Sequence, residues 1–216
     1  MDSTAILAKG SKLEIETGSG STNNVTAISL TNPCRVTLAS SIAGWRVGDV
    51  VTFAGIVGTT QLNGNKYVVQ YLEPGTKIVT LGGVDATGFS AWVSGGTATP
   101  VALTRIANLL NFSGFDAETE EVDVTHMESD ARESLLGLPD EGNFAFDVNY
   151  SASDPGQVAL RTARVSGAKK SFKLTYPDGR VSTFTALVKK FSRSGEVKGV
   201  LKSTGVLRIT GAVIDS

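Results

Sequence analysis

Short apolar segments separated by turn signals at intervals of about ten residues constrain this chain more than any other feature. The segment KLEIE alternates apolar and polar residues, and VVTFAGI, KYVVQYL and KIVTLGGV are rich in β-branched residues. Between them lie NGN, EPGT and LGGVDATG, which favour turns. This spacing predicts a mainly β protein, built as a small barrel or sandwich.

Size and composition limit the class of protein further. The chain has 216 residues and a mass of 22.5 kDa, which suggests one or two domains. No apolar run approaches the roughly 20 residues that a membrane span needs, so we expect no transmembrane segment. The start MDSTAILAKGSKLEIE lacks the features of a secretory signal, and we expect folding in the cytoplasm. Cys34 has no partner for an internal disulfide and is expected to be a small, half-buried residue.

The stretch from Val25 to Thr99 is predicted to form a separate module. It contains both tryptophans, Trp45 and Trp92, it has few charges, and TGSGST and SGGTATP flank it. Because both tryptophans lie within apolar strand patterns, we expect them in the core of this module.

Beyond Pro100, charged and apolar positions alternate strongly. LTRIANLLNFSGF and TEEVDVTHME are predicted strands, and SDARESLLG is predicted to be a loop or a short helical turn. In NFAFDVNY the alternation places Phe144, Phe146 and Val148 on one face. KKSFKLTYPDGRVSTFTALVKKF predicts a hairpin around its PDG turn, and KGVLKSTGVLRITGAVI supplies one or two further strands.

One α-helix is predicted over residues 154–166. Asp154 suits the N-cap, Pro155 suits the first helical position, and Gly167 suits the C-cap. Five residues can share one helical face, with Leu160 on the other: Val158, Ala159, Thr162, Ala163 and Val165.

Charge is distributed unevenly along the chain, although the formal net charge is only −1. Residues 116–147 hold about half of the acidic side chains and a single base, Arg132, whereas Lys and Arg predominate from Leu160 onward. A fold that presents these regions on different surfaces can bind copies of itself, acidic surface to basic surface.

The only histidine, His126, lies among carboxylates and hydroxyls. With Asp123 and Ser129 it supplies the residue types of an acyl-transfer triad, but Ser129 has no GxSxG elbow and a strand would point the three to different faces. With Glu128 and Asp130 it could bind a divalent ion, but the sequence offers no supporting ligand elsewhere. The pattern favours a solvated polar loop end, with no catalytic, metal or cofactor site.

Binding functions find little support. No glycine-rich phosphate loop precedes a helix, and the aromatic residues near Lys169, Lys170, Lys189 and Lys190 alternate inward instead of forming a platform for nucleic acid. Besides a purely structural protein, two other classes of protein stay open. One is a β module that binds glycans or a cell surface, and the other is a hydrolase.

Four segments follow one another in a recognisable order: AKGSKLEIETGSGS, FSGFDAETEEVDVTHMESDARESLLGLPDEGNFAFDVNY, DPGQVALRTARVSGAKKSFKLTYPDGRVSTFTALVKKFS and GVLKSTGVLRITGAVI. The most specific part is the acidic strand ending in DVT, then an irregular loop, GLPDEG, an alternating strand and a helix opening with Asp-Pro. This order resembles the major tail tube proteins of long, non-contractile-tailed bacteriophages. The intervening GDVVTFAGIVGTTQLNGNKYVV and FSAWVSGG resemble small β-barrel modules of phage structural proteins.

The resemblance implies a tail-tube β-sandwich or barrel with one α-helix, formed by residues 1–20 and 105–216. Residues 21–104 would form an inserted small all-β domain outside the tube. The chain would form hexameric rings, joined edge to edge through their sheets and stacked into a tube for DNA ejection. It would reside in the virion tail, after assembly in the host cytoplasm. Its partners would be itself, a tail-tip initiator, a tape measure protein and a tail terminator, with DNA passing unbound and no cofactor.

Two sets of residues carry this expectation. Met127 to Gly142 are expected to form a loop ordered against the next ring, and Arg132 to pair with an acidic neighbour. The expected interface residues are Met127, Glu128, Asp130, Arg132, Glu133, Leu135, Leu136, Leu138 and Pro139. Acidic residues facing the lumen would repel DNA phosphates, and the candidates are Glu120, Glu121, Asp123 and Asp147.

Overall fold

The computed structural model describes residues 8–216 of the chain. The first seven residues of the expected tube domain, which also begin the stretch compared with a secretory signal, lie outside the described residues. Strands account for 52% and helix for 7%, so the predicted mainly β class with one α-helix is confirmed. No helix within residues 8–216 is long and apolar enough to cross a membrane.

The strands are short and follow one another closely. The first seven are β1 (Lys12–Ser19), β2 (Asn23–Ser29), β3 (Arg35–Leu38), β4 (Val50–Val57), β5 (Lys66–Glu73), β6 (Ile78–Leu81) and β7 (Ser94–Arg105). The next four are β8 (Leu109–Gly114), β9 (Glu118–Asp123), β10 (Ser134–Asp140) and β11 (Asn143–Asn149). Helix α1 (Pro155–Ser166) then precedes β12 (Lys170–Thr175), β13 (Val181–Ser194), β14 (Lys202–Ile209) and β15 (Ile214–Asp215).

Six strands close into a barrel, in the order β2, β3, β6, β5, β4 and β7, with β7 pairing back onto β2. The barrel has its own apolar core, in which Phe53 and Leu62 are fully buried. Cys34 is also fully buried there, not half-buried as expected, and burial raises the pKa of its thiol to about 11. Trp45 and Trp92 are half-buried, so they cover the margin of this core instead of filling it.

The other long strands form what we call the main sheet, in the order β7, β1, β12, β13, β14, β11 and β8. Strand β7 belongs to both units, because residues 94–100 pair with β4 and residues 101–105 pair with β1. The main sheet has a second apolar core on one face. Phe144, Phe146 and Val148 lie in it, as their alternation predicts.

Helix α1 has the predicted ends but buries a different face. Asp154 accepts a hydrogen bond from the Gln157 backbone N–H at 2.8 Å, and Gly167 has a left-handed φ of 63°. The buried face contains Gly156, Gln157, Leu160 and Ala163, whereas Val158 and Val165 are 40% and 80% exposed. The reason is the close approach at Gly156, where a Cβ would lie 2.4 Å from the Arg105 carbonyl oxygen. That approach turns Leu160 toward the core.

Polar contacts connect the barrel to strands β12 and β13 of the main sheet. Lys173 of β12 is 6% exposed, and its Nζ lies 2.7 Å from Asp49 Oδ1 and 3.5 Å from Glu14 Oε2. The Thr183 hydroxyl donates a hydrogen bond to the Gly48 carbonyl at 2.8 Å. A buried ammonium group with two carboxylate partners has a defined geometry, so these contacts fix the orientation of the barrel.

Candidate functional site

A two-stranded hairpin, separate from the main sheet, contains most of the residues that the sequence singled out. We call residues 116–141 the acidic hairpin, because they contain ten carboxylates and one base, Arg132. Its strands β9 and β10 pair antiparallel, with Leu135 opposite Val122 and Leu136 opposite Glu121. It projects from the end of the main sheet at which β8 ends and β11 begins.

The structure corrects the expectation that residues 127–142 form one loop, since residues 134–140 are strand β10. Gly137 and Pro139 are residue types that usually weaken or interrupt a strand. Both fit because the register shifts between Leu136 and Pro139, and a bulge on an edge strand tolerates proline. The connecting turn is therefore shorter than expected, and the leucines lie on a strand.

The apolar residues of the acidic hairpin are exposed on both of its faces. Met127 at the tip is fully exposed, and Leu135, Leu136 and Leu138 are 62%, 76% and 89% exposed. The charged members of the expected interface are exposed as well, namely Glu128, Asp130, Arg132 and Glu133. A two-stranded ribbon alone has no apolar layer to stabilise it. Exposed apolar residues on such a ribbon mark a surface for another molecule.

The tip of the acidic hairpin is a hydrogen-bonded turn. Arg132 Nε lies 3.3 Å from Asp123 Oδ2, so Arg132 has an acidic partner within its own chain. Hydrogen bonds from Thr125 lower the pKa of Asp123, and a hydrogen bond from Arg132 lowers it by a smaller amount. His126 Nδ1 lies 2.9 Å from Ser129 Oγ, but Asp123 contacts Thr125 and Arg132. No group of three or more potential metal ligands occurs within residues 8–216.

The four acidic residues proposed for the lumen do not lie on one surface. Glu120, Glu121 and Asp123 are on β9, where alternation puts Glu121 and Asp123 on the same face and Glu120 on the other. Asp147 is on β11, on the main-sheet face opposite the core. It accepts hydrogen bonds from Thr204 and Asn111, at 2.6 and 3.0 Å, which lower its pKa.

A cluster that the sequence did not reveal lies at the opposite end of the main sheet. Arg161 Nη1 donates to the Tyr150 hydroxyl at 2.8 Å, and Arg193 lies over the Tyr150 ring with its Cζ 4.3 Å from the centroid. The Tyr150 backbone N–H donates to the Leu201 carbonyl at 2.8 Å. The basic composition beyond Leu160 was visible in the sequence, but the distant residues that meet at Tyr150 were not.

Two strand edges of the main sheet have no partner within residues 8–216. Strand β8 pairs only with β11, and residues 101–105 of β7 pair only with β1. Backbone N–H and C=O groups along such edges can bind another strand.

The family model described as lambda phage tail tube protein, TTP, matches residues 89–213, which is more than half of the chain. The match confirms the resemblance inferred from the sequence. No curated protein sequence matches the chain.

Three solved structures are similar in part. One is from the virion of a native gene transfer agent particle, with 21% identity, a TM-score of 0.45, and coverage of 53% of this chain and 88% of that chain. Another is from the tail of an empty gene transfer agent particle with C6 symmetry, with 22% identity, a TM-score of 0.45, and coverage of 53% and 86%. The third is Hcp1 from Salmonella typhimurium, with 14% identity, a TM-score of 0.31, and coverage of 79% and 93%.

Because the family model covers more than half of the chain, the protein belongs to the lambda phage tail tube protein family, whose role in the virion tail is structural and not enzymatic.

Proposed function

We propose that the chain assembles into hexameric rings that stack into the phage tail tube, the conduit for DNA ejection into the host. The observation that carries this proposal is the acidic hairpin, whose leucines are exposed in the isolated chain. Family membership supports a tube role, and the count of six follows from the resemblance to tail tube proteins. Assembly would take place in the host cytoplasm.

Ring closure would use the two unpaired edges of the main sheet. Strand β8 of one copy would pair with residues 101–105 of β7 in the next copy, so that the sheets continue around the ring. Each copy has one edge of each kind, so the contact joins two different surfaces and is heterologous. Heterologous contacts form a closed ring when the rotations between successive copies add up to a full turn.

Contact between rings would use the acidic hairpin. Leu135, Leu136 and Leu138 are the proposed apolar anchors, because their burial against the next ring would remove exposed apolar area from water. The remaining proposed interface residues are Met127, Glu128, Asp130, Arg132, Glu133 and Pro139. Arg132 would contribute through its pair with Asp123, which holds the turn at the tip.

An acidic lumen would keep the genome from adhering while it slides. DNA carries a negative charge on each phosphate, so carboxylates facing the lumen repel it. Glu120, Glu121, Asp123 and Asp147 are the proposed residues. Alternation lets only one face of β9 line the channel, with either Glu120 or the pair Glu121 and Asp123, and Asp147 would line another level.

The inserted module would lie on the tube exterior. Its boundary, expected at residue 104, moves to about residue 100, because residues 101–105 pair with β1 in the main sheet. The tube domain would then comprise residues 1–20 and the chain from residue 101 onward, instead of 1–20 with 105–216. The separate apolar cores of the barrel and the main sheet support this division. Assembly would also involve a tail-tip initiator, a tape measure protein and a tail terminator.

Negative-stain electron microscopy of the purified chain, fresh and after concentration, tests the proposal. We expect stacked rings or hollow tubes. If the chain stays monomeric, tail-tip complexes are added as initiators. A chain that stays monomeric with these initiators present would contradict the proposal.

Replacing Leu136 with Asp tests the role of the acidic hairpin. We expect the variant to fold normally, because Leu136 is 76% exposed, and to form no tubes, because a carboxylate would enter an apolar contact. The matched control is Val93→Asp, a change at a 67% exposed residue of the barrel, which should leave tube growth intact. Tubes of normal length from the Leu136→Asp variant would remove the acidic hairpin from the ring contact.

A further inference from the structure

The two ends of the main sheet carry opposite charge. The acidic hairpin leaves the end at which Asn143 pairs with Arg208. At the other end Asn149 pairs with Lys202, and residues 193–202 there contain three bases and one acid. The antiparallel register therefore separates an acidic surface from a basic one by the full length of the strands.

Three cations at this second end have no acidic partner, and two of them are held in place. Tyr150 orients two of them, since Arg161 donates to its hydroxyl and Arg193 stacks on its ring. Within residues 8–216, no carboxylate lies within 4 Å of Arg161, Arg193 or Lys198. Preorganised cations lose little conformational entropy when an anionic surface binds them.

Exposed apolar residues lie beside these cations. Val197 is fully exposed, Val200 is 65% exposed and Leu201 is 43% exposed. We call this surface the basic end, comprising Tyr150, Arg161, Arg193, Val197, Lys198 and Val200. The acidic hairpin has the complementary composition, with leucines among carboxylates. The two surfaces therefore carry opposite charges, and both expose apolar side chains that can pack together.

We infer that the basic end is the receptor for the acidic hairpin of a second copy of this chain in the adjacent ring. The inference rests on the proposed function and names the partner surface of the ring contact. Donor and receptor lie at opposite ends of one subunit, so a copy engages one neighbour with each end. A pair of subunits leaves one acidic hairpin and one basic end unbound, so the same contact can repeat along the axis of a tube.

A charge exchange tests the inference. One variant carries Arg193→Glu and Lys198→Glu in the basic end, and the other carries Glu128→Lys and Asp130→Lys at the hairpin tip. In each variant alone, like charges face each other where the hairpin tip meets the basic end, and we expect the concentration needed for tube formation to rise by about tenfold or more. A mixture of the two variants restores attraction at both contacts, so tubes containing both chains should form.

The control reverses two exposed charges outside the basic end, Arg164→Glu and Lys169→Glu, and should leave assembly intact. Melting curves establish that each variant folds. If the wild-type chain forms tubes but the reversed variants also do so, or if the mixture forms none, the inference is wrong while the proposed function stands. If the wild type forms no tubes even with tail-tip complexes, the proposed function fails, and the inference fails with it.

Discussion

At the scale of single residues, the core of the main sheet depends on a glycine. Gly205 on β14 lies opposite Phe146 on β11, and a Cβ at Gly205 would lie 2.3 Å from Phe146 Cζ. The ring of Phe146 therefore occupies the space that a side chain would need. The glycine is required by packing, since its φ is not in the left-handed region.

We expect Gly205→Ala to destabilise the chain by about 1–3 kcal/mol, because the added methyl group overpacks the core. Chemical denaturation measures the change. Gly18→Ala is the matched control, since the space around Gly18 is open, and it should change the stability by less than about 1 kcal/mol. The second-site change Phe146→Leu should recover part of the loss. Equal effects of the two alanine substitutions would contradict this account.

At the scale of elements, β1 links the barrel to the main sheet through Glu16. Its carboxylate accepts hydrogen bonds from Lys66 of β5 and from the Ser171 backbone N–H of β12. Burial alone would raise the pKa of Glu16, but these hydrogen bonds and the charge of Lys66 outweigh it and lower the pKa below 4.5. The ionised Glu16 carboxylate therefore stabilises the joint between the barrel and the main sheet.

A lowered carboxyl pKa makes the stability of the joint depend on pH. The unfolded chain binds the proton first as pH falls, so the stabilisation by Glu16 is complete above pH 4.5 and is lost as pH falls through the lower folded pKa. We therefore expect Glu16→Gln to be less stable than the wild type at neutral pH, with the difference shrinking below pH 4.5. Denaturation at several pH values measures this. Lys66→Met should reproduce part of the loss, and a difference that grows toward low pH would refute the mechanism.

Elements also show how far a sequence can take the prediction. Local rules gave the ends of α1 and the inward face of Phe144, Phe146 and Val148, because capping and alternation are decided by neighbouring residues. They missed β10, since the bulge that accommodates Pro139 exists only when β9 is its partner. They also missed the buried face of α1, which the contact between Gly156 and Arg105 selects.

The candidate site also contains residues that the sequence predicted and residues that it did not. Its exposed leucines and carboxylates were identified in the sequence, because charge and hydrophobicity are local properties. The Tyr150 cluster was not, since Arg161 and Arg193 come from distant parts of the chain and meet only in the fold. A docking surface made of one local segment is therefore easier to find than its receptor.

At the scale of the whole molecule, the barrel is inserted at a single hairpin connection of the main sheet. The Gly20 backbone N–H donates to the Pro100 carbonyl at 2.7 Å, so the chain enters and leaves the barrel at almost one point. The main-sheet residues that the barrel covers include Lys173 and Thr183, which are polar. Removing the barrel would expose these polar groups, which water can solvate, and we expect the main sheet to fold alone.

We therefore expect that replacing residues 21–99 with an Asn-Gly turn, which suits a two-residue hairpin, gives a folded chain that still forms tubes. Because the proposed place of the barrel is outside the polymer contacts, these tubes should be thinner than wild-type tubes by electron microscopy, with the same lumen width. Circular dichroism and a cooperative melting curve establish that the shortened chain folds. If it folds but stays monomeric where the wild type forms tubes, the barrel takes part in the polymer contacts and is not a decoration.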